Sequence, residues 1–168
     1  MTVTSTSSNS PVDICSRALI LIGAEPITSF DDGNNEALIS SSMYEDVAQS
    51  ALVNTRWRFA TNQLVLNRLS DAPTGRYEAS YQMPSDSLMI HALTVNGFNI
   101  EFQTYSDNLF CDADASDQVI ADYTYRVIEQ YWPSYFIMSV QFQLASVFAI
   151  SLARDASLSQ LMDQKAAF

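Results

Sequence analysis

The sequence predicts an α+β fold, a helical bundle with an antiparallel β domain inserted into it. Three observations predict it. Apolar residues recur at helical spacing as far as Asn54; from Gln63 to Val127 the pattern changes to short alternating runs between turn residues; after Pro133 a long uncharged stretch is helical again. Helices, then strands, then helices in 168 residues suit one domain carrying an insertion better than two full domains. The expected boundaries are 10–60 and 130–168 for the bundle and 61–129 for the β domain. Residues 1–9, Ser/Thr-rich and without periodicity, are expected to form a flexible tail.

The first helix has Ser10 as N-cap, Pro11 at N1 and Asp13 three residues after the cap. Cys15, Ala18, Leu19 and Ile22 form its apolar stripe; Gly23 closes it and Pro26 prevents its resumption. A second helix starts between Asp31 and Glu36, where the helix dipole favours the acidic cluster Asp31, Asp32 and Glu36, and runs to about Asn54. Tyr44, Val47, Ala48, Ala51 and Leu52 keep its spacing, and the two helices are expected to form an αα-hairpin.

Strands are expected over Gln63–Leu69, Tyr77–Gln82, Leu88–Val95, Phe98–Gln103 and Gln118–Val127, with a turn cluster over Asp71–Gly75. Asn96-Gly97 between two apolar runs is a strong hairpin signal. Phe98, Ile100 and Phe102 alternate with polar residues, which predicts one buried face. Asp112–Asp117 reads as an acidic loop. The last helices are expected over Tyr135–Ala153 and, after a break at Arg154 and Asp155, over Ser157–Lys165.

Composition narrows the function. Eight Lys+Arg against nineteen Asp+Glu give a net charge of −11, and a pI near 4.1 argues against gripping nucleic-acid phosphates. Charged residues make up only 16% of the chain, which suits a surface that meets other protein subunits. Seven of the eight cations are Arg, the side chain favoured in interfaces. The start carries no basic segment followed by an apolar core, so the chain is expected to be made in a cytoplasm.

Motifs for chemistry are sparse. Cys15 and Cys111 read as buried small hydrophobes rather than a disulfide framework. The single histidine, His91, lies within a strand and reads as solvent-facing or satisfied. Three His and Cys residues, widely spaced, do not make a zinc site, and the four glycines form no phosphate loop. Asp112-x-Asp114-x-Ser116-Asp117 begins like a calcium loop, but Asp117 and Tyr123 stand where Gly and Glu are needed. No catalytic residue, metal or cofactor is expected. The uncharged stretch from Tyr131 to Ala153 carries several Ser and Gln and no basic flank, so it reads as a buried helix rather than a membrane span.

Four segments carry a resemblance. They are Ala18–Ser29 with its Ile-Gly and Pro-containing turn; Tyr44–Ala51 followed by Arg56-Trp57-Arg58-Phe59-Ala60; Tyr81-Gln-Met-Pro84-Ser-Asp86; and Tyr123-Thr-Tyr125-Arg126-Val127 with Trp132-Pro133 before the long Ala-rich helix. In order and spacing the chain resembles, from about Cys15 to Leu161, the head-to-tail adaptors of short-tailed bacteriophages, the tail tubular protein A family. Met83 departs from the family's Leu.

The resemblance implies a structural virion protein of the tail and neck, without enzymatic activity. It implies a ring of twelve copies between the portal protein and the tail nozzle protein. The ring would extend the channel through which double-stranded DNA passes without sequence-specific binding. No membrane partner is implied. An acidic chain fits such a conduit because like charge disfavours phosphate contact. The alternatives are a connector or head-completion protein of a long-tailed phage, and a polysaccharide hydrolase using paired carboxylates. Candidate subunit contacts are the Asn96-Gly97 hairpin, the terminal helix with Ser157, Leu161 and Lys165, and the arginines Arg56, Arg58 and Arg126, the last three as intersubunit carboxylate partners.

Overall fold

The computed structural model describes residues 9–71 and 75–167; residues 1–8 of the tail expected over 1–9 and the centre of the 71–75 turn cluster lie outside them. The fold is α+β, with four helices and two antiparallel sheets among the described residues. The chain divides into a unit formed by residues 1–51 and 127–168 and a unit formed by residues 52–126.

In the first unit, α1 spans Pro11–Leu21. Ser10 and Asp13 form a reciprocal capping box, with each side chain accepting from the other's backbone N–H. Ile14, Cys15, Ala18 and Leu19 are fully buried, and Gly23 (φ 75°) turns the chain after the helix. Helix α2 spans Asn35–Asn54, its last three residues belonging to the second unit. Its cap is Asn34, whose side chain accepts from Ala37 N–H at 2.8 Å. Asp31 and Asp32 therefore precede the helix, contrary to the dipole expectation, and only Glu36 occupies its first turn. Asp32 instead accepts from the backbone N–H of Thr28 and Ser29, and these bonds hold its carboxyl below the usual range.

Helix α3 spans Ser134–Phe148 and widens into a π-helical stretch over Ala149–Ala153. Arg154 in the left-handed conformation (φ 52°) ends it, and Asp155 caps α4 (Ala156–Ala166) by accepting from Ser157 and Leu158 N–H. The close helix pairs are α3 with α4 and α1 with α3. The expected α1–α2 hairpin is not among them. Small residues let α3 and α4 approach: Ser139 Oγ donates to Ala166 C=O at 2.9 Å, and Ser146 and Ser159 share a 3.0 Å bond. Phe136, Val140, Leu144 and Phe148 line the buried side of α3, with Trp132 edge-on to Phe136 at 4.9 Å. Ser134–Ala153 is long and apolar enough to cross a membrane, with mean hydropathy 1.7. Its other side stays exposed at Tyr135, Met138 and Ile150.

In the second unit the strands are β1 Thr61–Val65, β2 Ala79–Gln82, β3 Ser87–Val95, β4 Phe98–Ile100, β5 Phe102–Tyr105, β6 Asn108–Cys111 and β7 Val119–Tyr125. They form a four-stranded sheet, β1-β7-β3-β4, and a three-stranded sheet, β2-β6-β5. Between the sheets lies one core containing Leu66, Tyr81, Leu93, Leu109, Cys111, Val119, Ala121 and Tyr123. Asn96 (φ 51°) and Gly97 (φ 83°) make the expected two-residue hairpin turn, with Val95 paired to Phe98.

Two strand expectations are corrected. Gln63–Leu69 is not one strand: β1 starts earlier and stops at Val65. Leu66 still donates to Val119 C=O, but Arg68 bridges Tyr81 and Leu69 donates to Ser80 C=O, so the chain crosses to the other sheet. Phe98–Gln103 is likewise divided at Glu101, with β4 in one sheet and β5 in the other. Phe98, expected on a buried face, is 76% exposed at the end of an edge strand; Ile100 and Phe102 pack against the core. The sequence reading missed β6. Its hairpin to β5 turns at Ser106 (φ 52°), where no Gly signals a turn.

Candidate functional site

The strand β7 carries two faces. Val119, Ala121 and Tyr123 point into the core, which directs Ile120, Asp122 and Thr124 to the opposite face of the sheet. On that face Asp122 is paired with Gln63 of β1 and Ala92 of β3, and Thr124 with Thr61. The segment entering β1 is a 3₁₀ turn over Arg58–Ala60, preceded by Arg56 and Trp57. These elements enclose an open groove of about 680 Å³ lined by Arg56, Arg58, Thr61, Asn62, Gln63 and Asp122.

The electrostatics of the groove are incomplete. Arg56 Nη2 lies 4.0 Å from Asp122 Oδ2, the outer limit of an ion pair, and the guanidinium is half exposed. Asp122 Oδ1 is buried and accepts no hydrogen bond. Arg58 is exposed and has no ion-pair partner among the described residues. The groove therefore offers two guanidiniums with donors to spare, while Asp122 keeps one oxygen buried without a donor.

His91 lies beside this cluster, in the irregular register between Ile90 and Ala92. Its Nε2 pairs with Thr124 Oγ1 at 2.7 Å, and Thr124 is fully buried. Burial of the ring and the Arg56 charge push its pKa below 6.5, with Asp122 acting in the opposite sense. No group of three His, Cys, Asp or Glu able to hold a metal ion occurs among the described residues. Both cysteines are buried free thiols, pushed up to about 12 for Cys15 and about 11 for Cys111, mainly by burial. The acidic loop is shaped by its own backbone: Asp117 accepts from Asp114 N–H, Asp112 accepts from Glu78 N–H, and Arg68 donates to Ala113 C=O. Asp114 is left exposed at its tip.

Of the residues singled out from sequence, Arg56 and Arg58 come together on the groove. Arg56, expected to face a carboxylate of another subunit, has an intrachain one within reach in Asp122. Arg126 is not among the groove's lining residues; it is half-buried, and its N–H donates to Asp86 C=O. Asn96 and Gly97 are exposed at the β3–β4 turn. Ser157, Leu161 and Lys165 are exposed on α4 in the first unit, with Lys165 Nζ 6.0 Å from the Phe142 ring centroid. Sequence reasoning missed Asp122, Thr61, Asn62 and Gln63. The available signal was an acid at the centre of a strand between Ala121 and Tyr123, both of which suit a core.

No protein-family model matches the chain, and no curated protein matches it.

Proposed function

We propose that the protein is a structural subunit of a bacteriophage head-to-tail adaptor ring, docking between portal and tail nozzle and continuing the DNA channel. The observation that carries this reading is the order of the four resembling segments, each of which includes a junction of the fold. Ala18–Ser29 spans the end of α1 and the Gly23 turn. Arg56–Ala60 forms the exit from α2 into β1. Tyr81–Asp86 joins β2 to β3 through Pro84. Tyr123–Val127 and Trp132-Pro133 lead from β7 to α3, where Trp132 Nε1 donates to Val127 C=O at 2.9 Å. Junctions set the direction of every following element, so residues shared there argue for a shared path of the chain.

Charge supports the reading. A net charge of −11 suits a wall past which DNA slides rather than sticks. Apolar side chains exposed on α3, its π-helical end and α4, among them Met138, Ile150 and Leu161, suit subunits packed side by side. The test is native mass spectrometry of the chain alone and mixed with portal rings of the same genome. The expected result is about twelve chains on each portal ring. A chain that stays off the portal refutes the proposal.

A further inference from the structure

We propose that the Arg56–Arg58 groove of one copy receives the Asp112–Asp117 loop of the next copy, forming a head-to-tail contact. The adaptor reading is needed only for closure of this contact into a ring, not for the contact itself. Three observations carry it. First, the groove lacks what the loop offers. Arg56 and Arg58 need acceptors, and Asp114 presents an exposed carboxylate. Second, two of only eight cations in a chain of net charge −11 meet in this groove, so a carboxylate-rich partner is matched and a phosphate backbone must approach an acidic protein.

Third, groove and loop belong to the same unit but to different parts of β7. The loop precedes Val119 at the start of the strand, and the groove gathers around Asp122 farther along. Val119 and Asp122 lie three residues apart on β7, about 10 Å of extended strand, more than the Debye length of about 8 Å at physiological salt. The two patches are thus complementary and separated on one molecule. A contact between different patches is heterologous, and it propagates from copy to copy.

The experiment uses the full chain in sedimentation velocity and native mass spectrometry. Wild type is expected to associate as concentration rises, and less so as salt rises. Arg56→Glu/Arg58→Glu disables the groove. Asp114→Arg/Ala115→Arg disables the loop and spares Asp112 and Asp117, whose carboxylates accept from the backbone. Each variant alone is expected to associate at least tenfold more weakly, with an unchanged urea midpoint showing that it folds. Mixed one to one, the two variants are expected to regain association beyond dimers, because the unchanged groove of one matches the unchanged loop of the other and the two reversed patches match as well. A chain carrying all four substitutions is expected to regain association.

A wild type that stays monomeric up to about 1 mM, where even weak pairs form, overturns the contact. Variants that associate like wild type, or a mixture that associates no more strongly than either variant alone, overturn it as well. Saturable binding of inorganic phosphate or duplex DNA lost in the groove variant, with self-association unchanged, overturns it in favour of an anion site. Portal loading separates the two proposals. Equal loading of wild type and variants defeats the contact and leaves the adaptor reading intact. The charge-swap pattern without portal loading does the reverse.

Discussion

Replacing Asp122 by Val is expected to stabilise the free chain. Asp122 Oδ1 is buried without a donor, and such a group costs about 1–3 kcal/mol. Against this stands its ion pair with Arg56, at 4.0 Å and with the guanidinium 54% exposed, worth about 0–1 kcal/mol. A β-branched side chain in the middle of β7 adds a few tenths of a kcal/mol in the same direction as the relief. The balance is a gain of about 1 kcal/mol, or a rise of about 2–4 °C in Tm for a chain of this size. Urea unfolding followed by circular dichroism reads it as a higher midpoint with an unchanged slope. A midpoint lower by the equivalent of about 1 kcal/mol would refute the reasoning, because Oδ1 would then have to be paired and the ion pair net stabilising.

Other outcomes are expected from single sites. His91 stays neutral in the folded chain to a lower pH than in the unfolded chain, where it protonates near 6.5. The unfolded state then binds more protons, so stability should fall as pH drops through 6.5 and level off below the folded value. His91→Gln should flatten this part of the urea-midpoint profile between about pH 7.5 and 5.5; an unchanged profile would contradict the shift. Cys15 and Cys111 should resist iodoacetamide near pH 8 until urea is added, as their burial and raised pKa values require; fast labelling of either native thiol, read by mass spectrometry, would count against it. Gly97→Ala meets no atom within 4 Å but forces a left-handed φ of 83° on a side chain. It should cost about 1–2 kcal/mol of backbone strain, measured by urea titration.

Local signals made much of this fold legible. The Ser10-Pro11-x-Asp13 cap, the Gly23 stop and the Asn96-Gly97 turn each act over a few residues, and their physics needs no distant partner. The acidic cluster before α2 misled because a carboxylate can satisfy a loop backbone as well as a helix N-terminus. Asp32 does the former for Thr28 and Ser29, and Asn34 takes the cap. Phe98–Gln103 misled for another reason. Alternation records which side of a strand is apolar, and the same alternation is compatible with a chain that changes sheets at Glu101.

Sequence alone determined the α+β class, the limits of α1 to within a residue, the β3–β4 turn and the apolar stretch from α3 into its π-helical end. These follow from residue chemistry and spacing of short range. Tertiary structure decided the division of the strands between two sheets, the pairing of α3 with α4 and α1, and the groove around Asp122. Arg56 and Asp122 are distant in sequence and meet only because β1 pairs with β7. The cost of the buried Asp122 oxygen likewise depends on which donors the folded chain brings near it, a quantity no local pattern of residues contains.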